Sequence, residues 1–194
     1  MSSRVCALAS LCLAALLTVG CGGEPPEKEM QQAQGAIDAA AAAGAALYAT
    51  DEFTAAQQAL GDAKAAVEQR DYRLALNHAI DSRDRAQTAA KEAADGKAVA
   101  RSAAEHAITE ADAAVTAAHD KLTAAEEKKL PARLLAAPKN GINTATARLQ
   151  EARAAFEQGR YKDVPALATS ATGMLTVPLE QIEAAAAPPA RRRR

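Results

Sequence analysis

Apolar and polar positions repeat with a helical period over most of the chain. Ala104, Ile108, Ala111, Val115, Ala118, Leu122 and Ala125 follow one another at alternating spacings of four and three. That is the a/d rhythm of a helix seam, held for three heptads. Punctuation then divides the pattern into elements. Pro26-Glu27-Lys28-Glu29 puts Pro and acids into a first turn, where the helix dipole favours them, and the Ala-rich run that follows reaches Tyr48. Thr50 before Asp51 and Glu52 reads as the N-cap of a second helix through Gln69. A break at Arg70-Asp71 starts a third, predicted to run to Lys129 unless Gly96 interrupts it. Pro131, Pro138 and Lys139-Asn140-Gly141 predict a loop over 131–141. A fourth helix is expected over 142–158. A fifth is expected over 163–186, opened by Asp163 with Pro165 in its first turn, and kinked or split by Pro178.

Composition narrows the fold class. Of 194 residues 55 are Ala, with no Trp, three Tyr and two Phe. Sheets favour β-branched and aromatic side chains, whereas Ala is the best helix former, so the chain is expected to be all-α. Every second member of the seam is Ala, which lets a neighbouring helix approach at the near end of the usual range. A core so rich in Ala suits an elongated bundle of Ala-rich hairpins with coiled-coil-like seams and leaves little room for a deep pocket.

An internal echo supports hairpins. Leu60, Ala63, Ala65, Ala66, Glu68, Gln69, Tyr72 and Ala79 recur 89 residues later as Leu149, Ala152, Ala154, Ala155, Glu157, Gln158, Tyr161 and Ala168. Each copy reads as helix, tight turn with Tyr, and helix. The two Tyr are treated as equivalent: each ring is expected to fill the gap where two helices meet while its hydroxyl stays wet. The Gly159-Arg160-Tyr161 turn and its small residues resemble the hairpin of tetratricopeptide repeats. The Trp-Leu-Gly-Tyr start of that repeat is missing, and two hairpins fall short of its usual three.

Residues 1–20 read as an export signal. Arg4 supplies a positive start, and Val5 to Gly20 is free of charge but short for a membrane span. The segment ends in Leu17-Thr18-Val19-Gly20-Cys21, which resembles the lipobox of bacterial lipoproteins; Thr18 departs from the Leu usual at its place. The resemblance implies that Cys21 receives diacylglycerol and becomes the first residue of the mature chain. Cys6 and Cys12 would leave with the signal, so the anchor also accounts for an unpaired Cys. Gly22 stands where an Asp would retain the protein on the inner membrane. In a cell with two membranes the resemblance therefore implies an outer-membrane lipoprotein facing the periplasm, its tether spanning 21–29.

A second resemblance covers 30–94. Ala36-Ile37-Asp38, Gly44-Ala45-Ala46-Leu47-Tyr48-Ala49, Glu52 to Leu60 and Asp71-Tyr72-Arg73-Leu74-Ala75 are similar to a bacterial envelope family called domain of unknown function 4398. It implies a helical hairpin domain in envelope lipoproteins, with no assigned activity. The expected organisation continues with 95–130 as a long helix, the loop at 131–141, a second hairpin at 142–187 and an Arg tail at 188–194.

Candidate chemistry is sparse. The sequence holds no Gly-rich phosphate loop, no Gly-x-Ser-x-Gly elbow and no His-Glu-x-x-His. His106 and Glu110 share a helix face four residues apart but make only half a metal site, and His78 and His119 are expected at the surface. No enzyme activity and no cofactor are expected. The chain carries 23 basic and 24 acidic residues, which gives no case for nucleic acid. Arg191, Arg192, Arg193 and Arg194 could touch an anionic surface. The expectation is a lipid-anchored envelope protein that binds an envelope partner, or itself, through helix faces. Cys21 is its site residue for lipidation, and Tyr48, Phe53, Tyr72, Phe156 and Tyr161 are its packing residues. The alternative is a periplasmic carrier holding an apolar ligand between amphipathic helices.

Overall fold

A computed structural model describes residues 23–186. The signal segment, Cys21 and the Arg191–Arg194 cluster lie outside the described residues. Within them the chain is all-α: 87% is helical and no strand forms. The helices are α1 (Glu27–Ala43), α2 (Ala45–Tyr48), α3 (Thr50–Glu68), α4 (Tyr72–Glu127), α5 (Ala132–Glu157), α6 (Val164–Gly173) and α7 (Thr176–Ala186). The chain forms two compact units divided between Ala94 and Asp95. That division falls inside α4, so one helix supplies its first part to one unit and its second part to the other. Gly96 lies within α4 and does not interrupt it.

In the first unit α1, α3 and the start of α4 enclose a core of small residues. Ala33, Ile37 and Ala40 of α1 meet Phe53, Ala56 and Leu60 of α3 and Ala86, Ala89 and Ala93 of α4. Ser82, fully buried on α4, donates its hydroxyl to the Ala56 carbonyl of α3 at 2.8 Å. Only small neighbours let two helices come close enough for that bond.

The second unit is built from the rest of α4 with α5, α6 and α7. Six of the seven seam residues are buried (Ala104, Ala111, Val115, Ala118, Leu122 and Ala125), and Ile108 packs half-buried against the same core. Asp112 with Arg153, His119 with Thr146 and Glu126 with Lys139 fix α4 and α5 as antiparallel neighbours.

The echo read from the sequence reaches further in the structure. Ala49, Phe53, Ala56, Leu60, Ala63 and Ala66 are buried, and so are the residues 89 positions on: Pro138, Ile142, Ala145, Leu149, Ala152 and Ala155. The turns match bond for bond. Gln69, Arg70 and Asp71 donate their N–H groups to the carbonyls of Ala65, Val67 and Ala66. Gln158, Gly159 and Arg160 donate to those of Ala154, Phe156 and Ala155. This is a Schellman closure, with Arg70 (φ 61°) and Gly159 (φ 74°) in its left-handed position. Lys129 (φ 56°) closes α4 by the same bonds to Ala124, Glu126 and Ala125.

Several expectations need correction. No loop spans 131–141: α5 begins at Ala132 and runs through Pro138 and Gly141. An interior Pro costs about 3 kcal/mol. Here the Pro138 ring is fully buried, and its three methylenes return about 0.8 kcal/mol each. Gly141 is a packing residue, since a Cβ there would stand 2.4 Å from Cγ of Pro178. Pro178 does split the expected fifth helix, at Met174–Leu175. Its ring would clash with the carbonyl four residues back, at Met174. The first helix ends early at Gly44 (φ 92°), followed by the single turn α2. Thr50 is not a cap: it is the first residue of α3, and its hydroxyl donates to the Ala46 carbonyl instead.

Candidate functional site

The packing residues chosen from the sequence separate into different environments. Phe53 is buried in the first core, and Tyr48 packs half-buried beside it. Phe156 and Tyr161 stack at 5.1 Å between ring centroids, tilted by 59°, and both pack against the second core. The Arg101 guanidinium sits 5.9 Å from the centroid of the Phe156 ring, within cation–π range. Tyr72 is half-buried but joins neither core. It borders the segment from Gly23 to Glu29 that leads into α1. The two Tyr therefore share a turn position and not a role. Val67 stands where Phe156 stands, so Tyr72 has no ring of that kind to close upon.

The same substitution distinguishes two grooves. In the first unit α1 and α3 flank a groove of about 450 Å³ lined by Pro25, Met30, Gln34, Leu60, Lys64 and Val67. The corresponding groove of the second unit, between α4 and α5, is about 300 Å³ and is lined by Ile108, Arg153 and Phe156. There Arg153 is tied to Asp112 at 2.7 Å, and the Phe156 ring takes up space that Val67 leaves open in the first unit. The first groove is shallow and apolar, with Gln31, Gln34, Glu27 and Lys64 at its margin. It can hold an apolar group, with one carboxylate and one ammonium at its rim.

Titratable groups elsewhere serve the helices. His106 Nδ1 lies 3.4 Å from Glu110 Oε2, both well exposed. His119 Nε2 lies 3.3 Å from the Thr146 hydroxyl. His78 is half-buried and not fully at the surface as expected. Among the described residues no group of three His, Cys, Asp or Glu is placed to hold a metal. No described helix is long and apolar enough to cross a membrane. The Arg85 guanidinium is pushed further toward its charged form by its hydrogen bond to Asp81, with Glu52 of α3 adding to the effect. Of the two contacts, that to Asp81 stays within α4 and only that to Glu52 links α4 to α3.

The sequence does not single out Ser82, and it marks Gly141 only as part of a loop. A small polar residue in an Ala-rich helix reads as surface until its partner helix is known. A Gly after Lys-Asn reads as a turn until the ring it accommodates is known. Comparison with known proteins finds no family model, no curated protein and no solved structure that matches the chain.

Proposed function

We propose that the protein is a lipid-anchored component of a bacterial cell envelope, related to the 4398 hairpin family, and that it works as a non-catalytic adaptor through its helix faces. The observation that carries the anchoring is the uncharged stretch from Val5 to Gly20 ending on Cys21, the one cysteine left once Cys6 and Cys12 depart with the signal. In a cell with two membranes the body would face the periplasm from the outer membrane, and Arg191–Arg194 would be free to touch an anionic surface. The adaptor role draws support from cores made largely of Ala, which leave the exposed outer faces of the helices as the surface on offer. Replacing Cys21 with Ser tests the anchor: the protein is expected in a soluble fraction, or unprocessed. A variant that is still cleaved and still held by membranes would refute it. Cross-linking in the native envelope, with identification of the attached chain, tests the adaptor.

One observation favours a second reading. The open groove beside Val67 could take an apolar chain or ring, as a carrier would require. Mass spectrometry of lipid co-purifying with the protein, and its loss in a Val67→Phe variant, would choose the carrier.

A further inference from the structure

We infer that the end of the second unit formed by the α4–α5 turn is a docking surface for an anionic lipid bilayer, an inference that does not rest on Cys21. From Lys128 to Gln150 the chain carries five cations (Lys128, Lys129, Arg133, Lys139 and Arg148) and no carboxylate. Lys128, Lys129 and Arg133 are exposed, and their side chains make no hydrogen bond or ion pair among the described residues. Lys139 is engaged by Glu126 at 3.4 Å, and Glu127, the last residue of α4, is the one other carboxylate beside the turn in sequence.

Folding accounts for only part of this cluster. Lys128 and Lys129 follow the C-terminus of α4, where the helix dipole favours positive charge. Arg133 is the second residue of α5, whose first turn contains no acid. A cation there opposes the dipole of its own helix, and an anion supplied from outside would relieve it.

Apolar groups stand among these charges. Leu134 is 45% exposed, Pro131 is exposed, and Leu130 is half-buried at the turn. α6 and α7 lead back toward the same end, as the contact of Pro178 with Gly141 and the pair between Glu183 and Lys121 require. Beyond α7 the sequence continues to Arg191–Arg194. Cations around exposed Leu match an interface with headgroup charge above and acyl chain below. A soluble polyanion would use the cations and leave Leu134 in water, so the bilayer is the partner that engages both.

The test is binding of the full chain to vesicles of phosphatidylcholine alone and of phosphatidylcholine mixed with phosphatidylglycerol. Comparing the two cancels any insertion common to both. The expected preference for the anionic vesicles is about tenfold or more at low salt, shrinking as salt is added. Lys128→Glu, Lys129→Glu and Arg133→Glu together should cut that preference severalfold, leaving only what Arg191–Arg194 add. Arg73→Glu, Lys91→Glu and Lys97→Glu together change the net charge equally and should preserve it. Leu134→Ser should weaken binding to anionic vesicles severalfold. Should the Glu triple fail to fold by circular dichroism, the triple with Gln at the same three positions must show the same loss. Equal binding to both vesicle types overturns the inference. So does a control triple that loses as much, or inorganic polyphosphate bound with Leu134→Ser having no effect on vesicles.

Discussion

Along its part of α4 the first unit buries Ala75, Ala79, Ser82, Ala86, Ala89 and Ala93. From α6 through the Met174–Leu175 turn into α7 the second unit buries Val164, Ala168, Ala171, Leu175, Pro178 and Ile182 at the matching positions 89 residues on. The buried register is the same, and the means of filling it differ. Small side chains let α4 approach α3 closely enough for Ser82 to reach a backbone carbonyl at 2.8 Å. Larger ones fill the second unit with hydrocarbon, at about 1.5–3 kcal/mol per buried side chain against about 0.8 for a methyl-sized group. A shared hairpin plan thus tolerates two packing solutions, provided each interface is matched in size across its whole length. The price is that a residue suited to one unit fits poorly at the equivalent place in the other.

Exchanging equivalent residues tests that claim most severely. Leu175→Ala, which gives the second unit the residue found at Ala86, should cost about 2–5 kcal/mol through the cavity it leaves. The reverse change, Ala86→Leu, should cost about 1–3 kcal/mol by overpacking. Chemical denaturation with amide exchange resolved along the chain would locate each loss in its own unit. A neutral Ala86→Leu would mean that the α3–α4 interface has slack, and the size-matching account would fail.

Gly141 offers a sharper version of the same comparison. Gly141→Ala places a methyl 2.4 Å from a ring carbon of Pro178, and a proline ring cannot turn aside, so a loss of about 1–3 kcal/mol is expected. Gly61 on α3 has nothing within 4 Å of the same added carbon. Gly61→Ala should therefore raise stability by about 0.5–1 kcal/mol through helix propensity alone. Melting curves that move in the same direction for both variants would contradict the assigned contacts.

The aromatic turns give a smaller difference. Tyr161→Ala removes a stacked partner of Phe156, worth about 0.5–1.5 kcal/mol beyond burial. Tyr72→Ala removes a ring that joins neither core. The first should lower the melting temperature by more than the second, and equal shifts would restore the equivalence that the sequence suggests.

The subtlest test is Ser82→Ala, which copies Ala171 into the first unit. The Ala56 carbonyl sits inside a helix whose ladder already employs it, so the loss should stay near the about 0.5–1.5 kcal/mol net value of one hydrogen bond. A larger loss would show that the hydroxyl holds the two helices together.

Much of this architecture was determined by the sequence alone. An Ala-rich, aromatic-poor chain has no economical way to make a sheet, so all-α followed from propensity. The seam from Ala104 to Ala125 announced its buried face because period and burial are the same fact on a helix. The turns at Arg70 and Gly159 were legible because identical residues surround them. The tertiary structure alone decided what Pro138, Gly141 and Ser82 do. Local rules read Pro and Gly as punctuation and Ser as polar surface, since they weigh only the residue's own backbone. In α5 a buried Pro138 ring offsets a lost backbone bond, and Gly141 is needed for a ring 37 residues away in the chain. It also decided that the echo runs from Ala49 to Ala93, well past the identities between Leu60 and Ala79. Burial register depends on apolar character, which Val164 shares with Ala75 and Ile182 with Ala93 without any match in letter or size. The open groove beside Val67 was hidden for a related reason: its volume is set by the space between two helices, which neither helix encodes by itself.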